Sequence, residues 1–307
     1  MDSASIKEGM LFLTQTGVGI LGNASLLCLY NFHLITGHML KPTDLILSQL
    51  VLANSLVLFS KGIPHTMTAF GLQFVLGDTG CRLVFYLHRV SRGVSLSTTC
   101  LLSGFQAIKL SPDFSRWMEL RMRSPKSIGF CCFLCWILHL LLNSTVPLRM
   151  CGPQNSTNSS RKIRNFGFCH VCILGKLINA MLIFILSSID AMHLGIMVWA
   201  SGSMVLVLHK HKKRVQHIHS NRLSPGPSPE ARATSTVLVL VSMFVSFYTL
   251  SSTLTLYVSV VESGRWLVHF SVFAASCFPA FSPLVLISRH PHFLVSLWFW
   301  GSKRTFL

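Results

Sequence analysis

The chain has 307 residues, of which 51% are hydrophobic and only 11% are charged, and its formal net charge at pH 7 is +17. A typical soluble domain has about 25% charged residues, so this composition excludes an ordinary soluble protein, whose surface would need more charge. The hydrophobic residues also gather into runs of about 20 or more, the length of helix that crosses a hydrocarbon core of roughly 30 Å. The sequence therefore predicts a membrane protein.

Seven apolar segments follow one another along the chain, and a helix in each would satisfy its own backbone hydrogen bonds in lipid. Their predicted ranges are 10–32, 45–63, 83–108, 128–147, 180–208, 234–260 and 267–287. The third segment is the weakest by hydropathy, because Arg89 and Arg92 lie within it. The expected fold is therefore all-α, a single seven-helix transmembrane bundle that accounts for residues 1–307.

The lysines and arginines of the connecting loops predict the orientation of the bundle. They favour the side that holds Lys41 and the loops after the third and fifth segments by about two to one. Since cytoplasmic loops carry the excess of Lys and Arg, the N-terminus is expected to be extracellular and the C-terminus cytoplasmic. We therefore expect a multi-pass protein of the plasma membrane.

The fifth segment ends in HKHKKRVQHIHS, residues 209–220. Such a basic run is typical of a nucleic-acid patch, a metal-binding tract or the cytoplasmic edge of a membrane helix. The third interpretation fits the segment before it, with the cations close to anionic lipid of the inner leaflet. The histidines have no cysteine or carboxylate nearby to complete a zinc site, so neither metal nor cofactor is expected, and no nucleic acid.

Four of the ten cysteines lie outside the helices. Cys81 begins the third segment, and Cys151, Cys169 and Cys172 lie in the long loop after the fourth. A bridge from Cys81 to one of these three would hold the loop across the mouth of the bundle in an oxidising compartment. The same loop contains two glycosylation sequons, at Asn155 and Asn158.

Ionisable residues inside a membrane are costly and indicate a functional site. Arg82, Arg89 and Arg92 share one face of the third segment, with His88 beside them, while Asp190 is the acid at a similar depth in the fifth. Such a pocket suits an anionic or hydrogen-bond-accepting ligand. The predicted ligand-binding residues are Phe85, His88, Arg89, Arg92, Asp190, Phe244 and Tyr248; the alternative is that Arg89 simply pairs with Asp190.

Three stretches resemble the vomeronasal type 1 receptors: CRLVFYLHRVSRGVSLSTTCLLSGFQAIKLSP (81–112), IMVWASGSMVLVLHKHKKRVQHIHS (196–220) and CFPAFSPLVLISRHP (277–291). The resemblance implies a chemosensory G-protein-coupled receptor without enzymatic activity. Its expected partners are a small volatile or acidic organic ligand and a heterotrimeric G protein of the inhibitory class. It also makes Cys169, at the end of FGFC, the expected partner of Cys81.

The third segment departs from the larger rhodopsin-like pattern, because Phe105, Gln106 and Ala107 stand where an acidic-Arg-aromatic triplet would be. The activation switch must therefore be built differently. The residues expected to couple to the G protein are Gln106, Lys109, Lys210, Lys212, Lys213 and Arg214. The rival function is a small-solute transporter or channel, for which Lys61 and Asp190 would be the charged residues.

Overall fold

A computed structural model describes residues 3–36, 41–72, 77–110, 124–151, 163–165, 169–172, 176–218, 229–260 and 265–288. Seven long helices make up most of these residues: α1 (Ser3–Ile35), α2 (Pro42–Ala69), α3 (Asp78–Leu110), α4 (Pro125–Leu142), α5 (Lys176–Ile218), α6 (Pro229–Val260) and α7 (Arg265–Ser288). Within α2, Leu58–Gly62 form a π-helical turn. The all-helical membrane bundle predicted from the sequence is confirmed.

Six of the seven described helices are long and apolar enough to cross a membrane, and α3 is the exception. This helix packs against α2, α4, α5 and α6 and buries Val90, Val94, Leu96 and Leu102 among them. Its neighbours thus shield most of its length from lipid. A helix of lower hydropathy is tolerated here because it lies inside the bundle.

The outer faces of α4 and α5 carry large apolar side chains that no other part of the described chain covers. Phe133 and Leu141 of α4, and Phe184 and Trp199 of α5, are each more than half exposed. On a soluble protein so continuous an apolar surface would be a liability. Here it is the surface that faces the hydrocarbon of the bilayer, as expected for a multi-pass membrane protein.

Helix α5 is longer than a membrane span requires. Its 43 residues correspond to roughly 65 Å at 1.5 Å per residue, about twice the hydrocarbon thickness. The apolar part covers Ala180–Lys210, and the helix then continues through most of the basic stretch to Ile218. The basic residues from 209 onward therefore extend α5 beyond the end predicted at residue 208.

Helices α1 and α7 approach closely around the prolines of α7. Pro283 has no N–H to donate to the carbonyl of Pro279 one turn earlier, so that carbonyl needs another donor. Asn23 of α1 supplies it, with a distance of 2.9 Å from Nδ2 to the carbonyl oxygen. A Cβ added at Gly19 would lie 2.8 Å from the Cα of Ala280, so only glycine permits this approach.

Buried polar side chains also fix α2, α3 and α7 to one another. The side-chain amide of Asn54 donates to Ser282 Oγ at 3.1 Å, and its carbonyl accepts from Ser95 Oγ at 2.8 Å. All three residues are buried. Because lipid gives helices no hydrophobic reason to associate, interhelical hydrogen bonds of this kind help to set their register.

Three short strands form a small antiparallel sheet in the loop after α4, a feature that the sequence did not predict. They are β1 (Met150–Cys151), β2 (Ile163–Asn165) and β3 (His170–Cys172), in the order β1–β3–β2. Cys169, directly before β3, forms a disulfide with Cys81 of α3, with 5.9 Å between their Cα atoms. The sequons at Asn155 and Asn158 lie outside the described residues.

The disulfide generates a prediction about maturation. Cys81→Ser and Cys169→Ser should reduce surface expression to a similar extent, and the double variant should be little worse than either, because all three lose the same bond. Flow cytometry of an N-terminally tagged chain measures this. Cys277→Ser, which removes a free buried thiol, is the control. Additive losses in the double variant would contradict a shared role for the two cysteines.

Candidate functional site

Arg92 and Tyr248 line two cavities, and the larger of these two lies among α3, α4, α5 and α6 with a volume of about 290 Å³. Four of the predicted ligand-binding residues line it: Arg89, Arg92, Asp190 and Tyr248. Apolar contacts come from Leu142, Leu186 and Ile189, and further polar groups come from His139, Asn143, Ser187, Ser252 and Thr255. The cavity thus combines apolar walls with a few convergent polar side chains, as small-molecule sites do.

Asp190, Tyr248 and Arg92 form the polar centre of this cavity. The Tyr248 hydroxyl donates a hydrogen bond to Asp190 Oδ2, which joins α5 to α6. The Arg92 guanidinium lies over the Tyr248 ring, 4.6 Å from the ring centroid, and its Nη2 is 3.4 Å from Ser252 Oγ. Tyr248 is thus one hydrogen-bond partner of Asp190, and a cation–π contact joins α3 to α6.

A smaller cavity of about 30 Å³ lies on the other side of the Arg92–Tyr248 pair, among α2, α3, α6 and α7. Arg92 and Tyr248 line both cavities, whereas the predicted ligand residues His88 and Phe244 line only this one. Phe244 stacks on Tyr248 and meets Phe278 edge-on, with ring centroids 5.4 and 4.6 Å apart. Arg92 and Tyr248 thus form a common wall between the two cavities.

Phe85, the remaining predicted ligand residue, occupies a different place. It packs against the buried pair Cys81 and Cys169, beneath the loop that the disulfide holds. Its spacing of one helical turn from Cys81 explains this contact. The sequence pattern placed Phe85 on the correct helix, but the structure brings it to the disulfide rather than to the lining of the two cavities.

Ser97, His139 and His193 join α3, α4 and α5 below the larger cavity. Ser97 Oγ lies 2.7 Å from His139 Nε2 and 3.1 Å from His193 Nε2, and His193 Nδ1 lies 2.8 Å from the Ile189 carbonyl oxygen. Because a carbonyl only accepts, His193 Nδ1 carries a hydrogen, so a neutral His193 accepts from Ser97 at Nε2. His139 Nε2–H then donates to Ser97.

Sequence reasoning did not find this serine–histidine contact. His139 and His193 lie 42 and 96 positions from Ser97, so no local motif signals the contact. Gly93, one turn before Ser97, makes room for it, because a Cβ at Gly93 would overlap the His139 imidazole. A glycine and a serine four positions apart on one helix face are the nearest signal in the sequence.

Lys61 adds another cation near the small cavity. It lies in the π-helical turn of α2 and interacts electrostatically with Arg92 and Arg89, and His88 interacts with all three. Lys61 and Arg92 are partly buried, and His88 is buried. The centre of the described bundle is therefore strongly basic, with Asp190 as the acid among the residues that line the two cavities.

The residues predicted to couple to a G protein lie at the opposite end of α3, α5 and α6. Gln106 is only 1% exposed, and its Nε2 donates to Thr234 Oγ1 of α6 at 3.1 Å. Lys109, Lys210 and Lys213 are exposed. The backbone of Lys212 and Arg214 is helical, but their side chains lie outside the described part. Gln106 thus joins α3 to α6, while the cations form the exposed rim.

The seven helices, the apolar exterior and a cavity that combines apolar walls with a few polar side chains define a multi-pass membrane protein of the seven-helix receptor class. Residues 6–299 match the model of the vomeronasal organ pheromone receptor family. The chain is 58% identical over 295 residues to human "Vomeronasal type-1 receptor 1", covering 95% of this chain and 82% of the relative. It is 47% identical over 293 residues to human "Vomeronasal type-1 receptor 3", covering 95% and 93%.

A more distant relative, "Olfactory receptor class A-like protein 1" of Danio rerio, is 33% identical over 292 residues and covers 94% of this chain and 91% of its own. The chain therefore belongs to the vomeronasal organ pheromone receptor family, and the resemblance seen in its sequence is confirmed. This is a family of chemosensory receptors at the cell membrane rather than of enzymes.

The hydrogen bond between Tyr248 and Asp190 generates the next prediction. Tyr248→Phe keeps the ring over Arg92 but removes the hydroxyl that donates to Asp190, so the free energy of unfolding should fall by about 1 to 3 kcal/mol. A melting curve of the detergent-purified protein measures the loss. Tyr257→Phe, at a half-exposed position of the same helix, is the matched control. Equal melting temperatures for wild type and Tyr248→Phe would contradict the prediction.

Proposed function

We propose that this chain is a chemosensory receptor that binds a small organic ligand in the larger cavity and in response activates a heterotrimeric G protein of the inhibitory class. The observation that carries the proposal is the cavity itself, a space lined by Arg89, Arg92, Asp190 and Tyr248 within a seven-helix bundle. Membership in a chemosensory receptor family supports the role. The transporter alternative has no comparable support.

The lining of the larger cavity favours a compact ligand with an acidic or hydrogen-bond-accepting group. Arg89 and Arg92 offer guanidinium N–H donors on one side, and Leu142, Leu186 and Ile189 offer apolar contact on the other. A volume of about 290 Å³ is just below the usual range for ligand pockets, roughly 300–1,000 Å³. A small volatile acid or ester is a better match than an amine, which would have to face two arginines.

A ligand screen on cells that carry a G-protein reporter tests this function. For a ligand found in that screen, Arg89→Gln should raise the half-maximal concentration roughly tenfold or more, because a hydrogen bond to a charged group contributes about 1.5 to 3 kcal/mol. Ligand-independent signalling should not change. Arg82→Gln, two turns earlier on α3, is the matched control and should respond nearly as wild type does. Uptake of the ligand without reporter activation would favour a transporter instead.

The proposed orientation places the N-terminus and the disulfide-bonded loop outside the cell. Glycosidase treatment should then increase the gel mobility of the expressed protein, and Asn155→Gln with Asn158→Gln should remove most of that shift, since sequons are modified only on the lumenal side. An epitope inserted at residues 223–233 should bind antibody only after permeabilisation. Labelling of this epitope on intact cells would reverse the orientation.

The exposed cations at the ends of α3 and α5 are the proposed contact with the G protein. Lys109, Lys210 and Lys213 are exposed there, and Lys212 and Arg214 belong to the same basic stretch of α5. Gln106 acts behind this rim: it is buried and bonded to Thr234, so it holds α3 and α6 together in the present arrangement. Opening of this face by a shift of helices would expose Gln106 to the partner.

Neutralising part of the basic stretch separates coupling from membrane anchoring. Lys212→Gln, Lys213→Gln and Arg214→Gln together should leave surface expression within about twofold, because Lys210 and the other cations still set the orientation. G-protein activation should fall strongly, because charges at the rim of an interface govern encounter and register. Arg161→Gln, Lys162→Gln and Arg164→Gln make the same charge change in the loop after α4 and should leave coupling intact. Normal activation by the α5 triple variant would leave this stretch as a membrane anchor alone.

A further inference from the structure

The volume of the smaller cavity limits what can bind in it. Its volume of about 30 Å³ exceeds the roughly 10–15 Å³ that one water molecule needs but is far below the roughly 300 Å³ of an organic-ligand pocket. Its walls include the aromatic rings of Phe244, Phe247 and Phe278. An odorant does not fit this space, whereas a monatomic ion or one to two water molecules do.

One polar atom of the cavity lining lacks a partner in the described structure. His88 is 8% exposed, and its Nδ1 is buried without a hydrogen bond. Polar atoms buried in this way usually bind water or a ligand. Arg92, on the same wall, has five N–H donors, of which Nη2 makes a long contact of 3.4 Å to Ser252. The Arg92 guanidinium, and the His88 ring in its Nδ1–H tautomer, therefore have N–H groups available to a bound anion.

The charges around the smaller cavity also favour the binding of an anion. Lys61 of α2 interacts electrostatically with Arg92 of α3. Asp190 is the carboxylate among the described residues that line either cavity, and the Tyr248 hydroxyl already bonds to it. Charges in a protein interior are normally paired, since an unpaired charge loses its hydration without compensation. Lys61 and Arg92 thus contribute two formal positive charges, and Asp190 contributes one negative charge.

We propose that the smaller cavity binds a chloride ion, held by Arg92, His88 and the nearby ammonium of Lys61, as the resident counter-ion of the ligand-free receptor. Chloride is monovalent, spherical and small, so it matches the volume and a lining that has no carboxylate and includes the donors Arg92 and His88. The polyatomic anion of an organic ligand belongs to the larger cavity across the Arg92–Tyr248 wall. The site goes beyond the proposed odorant recognition and does not depend on it.

Thermal melting of the purified receptor without any odorant tests the proposal. Replacing gluconate by chloride at constant ionic strength should raise the melting temperature saturably, because an ion that binds only the folded state stabilises it by mass action. Bromide should act as chloride does. Lys61→Met should abolish the dependence of the melting temperature on chloride. In gluconate this variant should melt at a higher temperature than the wild type, because the charge of Lys61 then has no counter-ion and destabilises the folded wild type. Lys109→Gln, which removes an exposed cation at the far end of α3, should keep the full dependence.

Ser251→Leu provides a second variant, because Ser251 lines the cavity and the larger side chain would fill the space of the ion. It should also melt independently of chloride. Equal melting temperatures of the wild type in chloride and gluconate would mean that the cavity holds only water and would overturn the proposal. A chloride-dependent shift that persists in both Lys61→Met and Ser251→Leu would place the ion elsewhere and would overturn it equally.

Discussion

The position of α3 follows from one constraint, the cost of placing Arg89, Arg92 and His88 at membrane depth. A helix with these residues cannot face hydrocarbon along its length, so it packs among four others, and the remaining six helices supply the apolar exterior. Both cavities lie against α3, and the disulfide is at its first turns. The basic side chains that make α3 a poor membrane helix therefore decide where the site is.

Polar contacts between helices determine how the helices of this bundle pack, a role that the burial of apolar side chains has in a soluble protein. Lipid solvates leucine as well as another helix does, so apolar packing alone distinguishes poorly between helix registers. Asn23 on the Pro279 carbonyl, Asn54 between Ser95 and Ser282, and the contacts of Ser97 each admit only one arrangement of their helices. Gly19 and Gly93 permit the close approaches that these bonds require.

Hydropathy was sufficient to predict six of the seven helices, because a membrane span is a property of a continuous segment, and it was weakest for α3, which contains Arg89 and Arg92. The residue types of the site were also predictable: arginines and an aspartate at membrane depth are unusual enough to notice. Their partners were not. Tyr248 is 58 positions from Asp190, and His193 is 96 from Ser97, so such contacts depend on how helices are arranged and not on any local pattern. The short sheet before α5 was missed because strands of two or three residues have no measurable periodicity.

Helices α3 and α6 are joined at two levels, and the spacing of these contacts links the two ends of the molecule. Fourteen positions separate Arg92 from Gln106 on α3, and fourteen separate Thr234 from Tyr248 on α6. The Arg92–Tyr248 contact beside the cavities and the Gln106–Thr234 hydrogen bond are thus about four turns, or roughly 21 Å, apart on both helices. Both contacts join the same two helices, so a rigid tilt of α6 relative to α3 would change both. The lower contact is a hydrogen bond between two neutral side chains, so breaking it would leave no charge unpaired, unlike the breaking of an arginine ion pair.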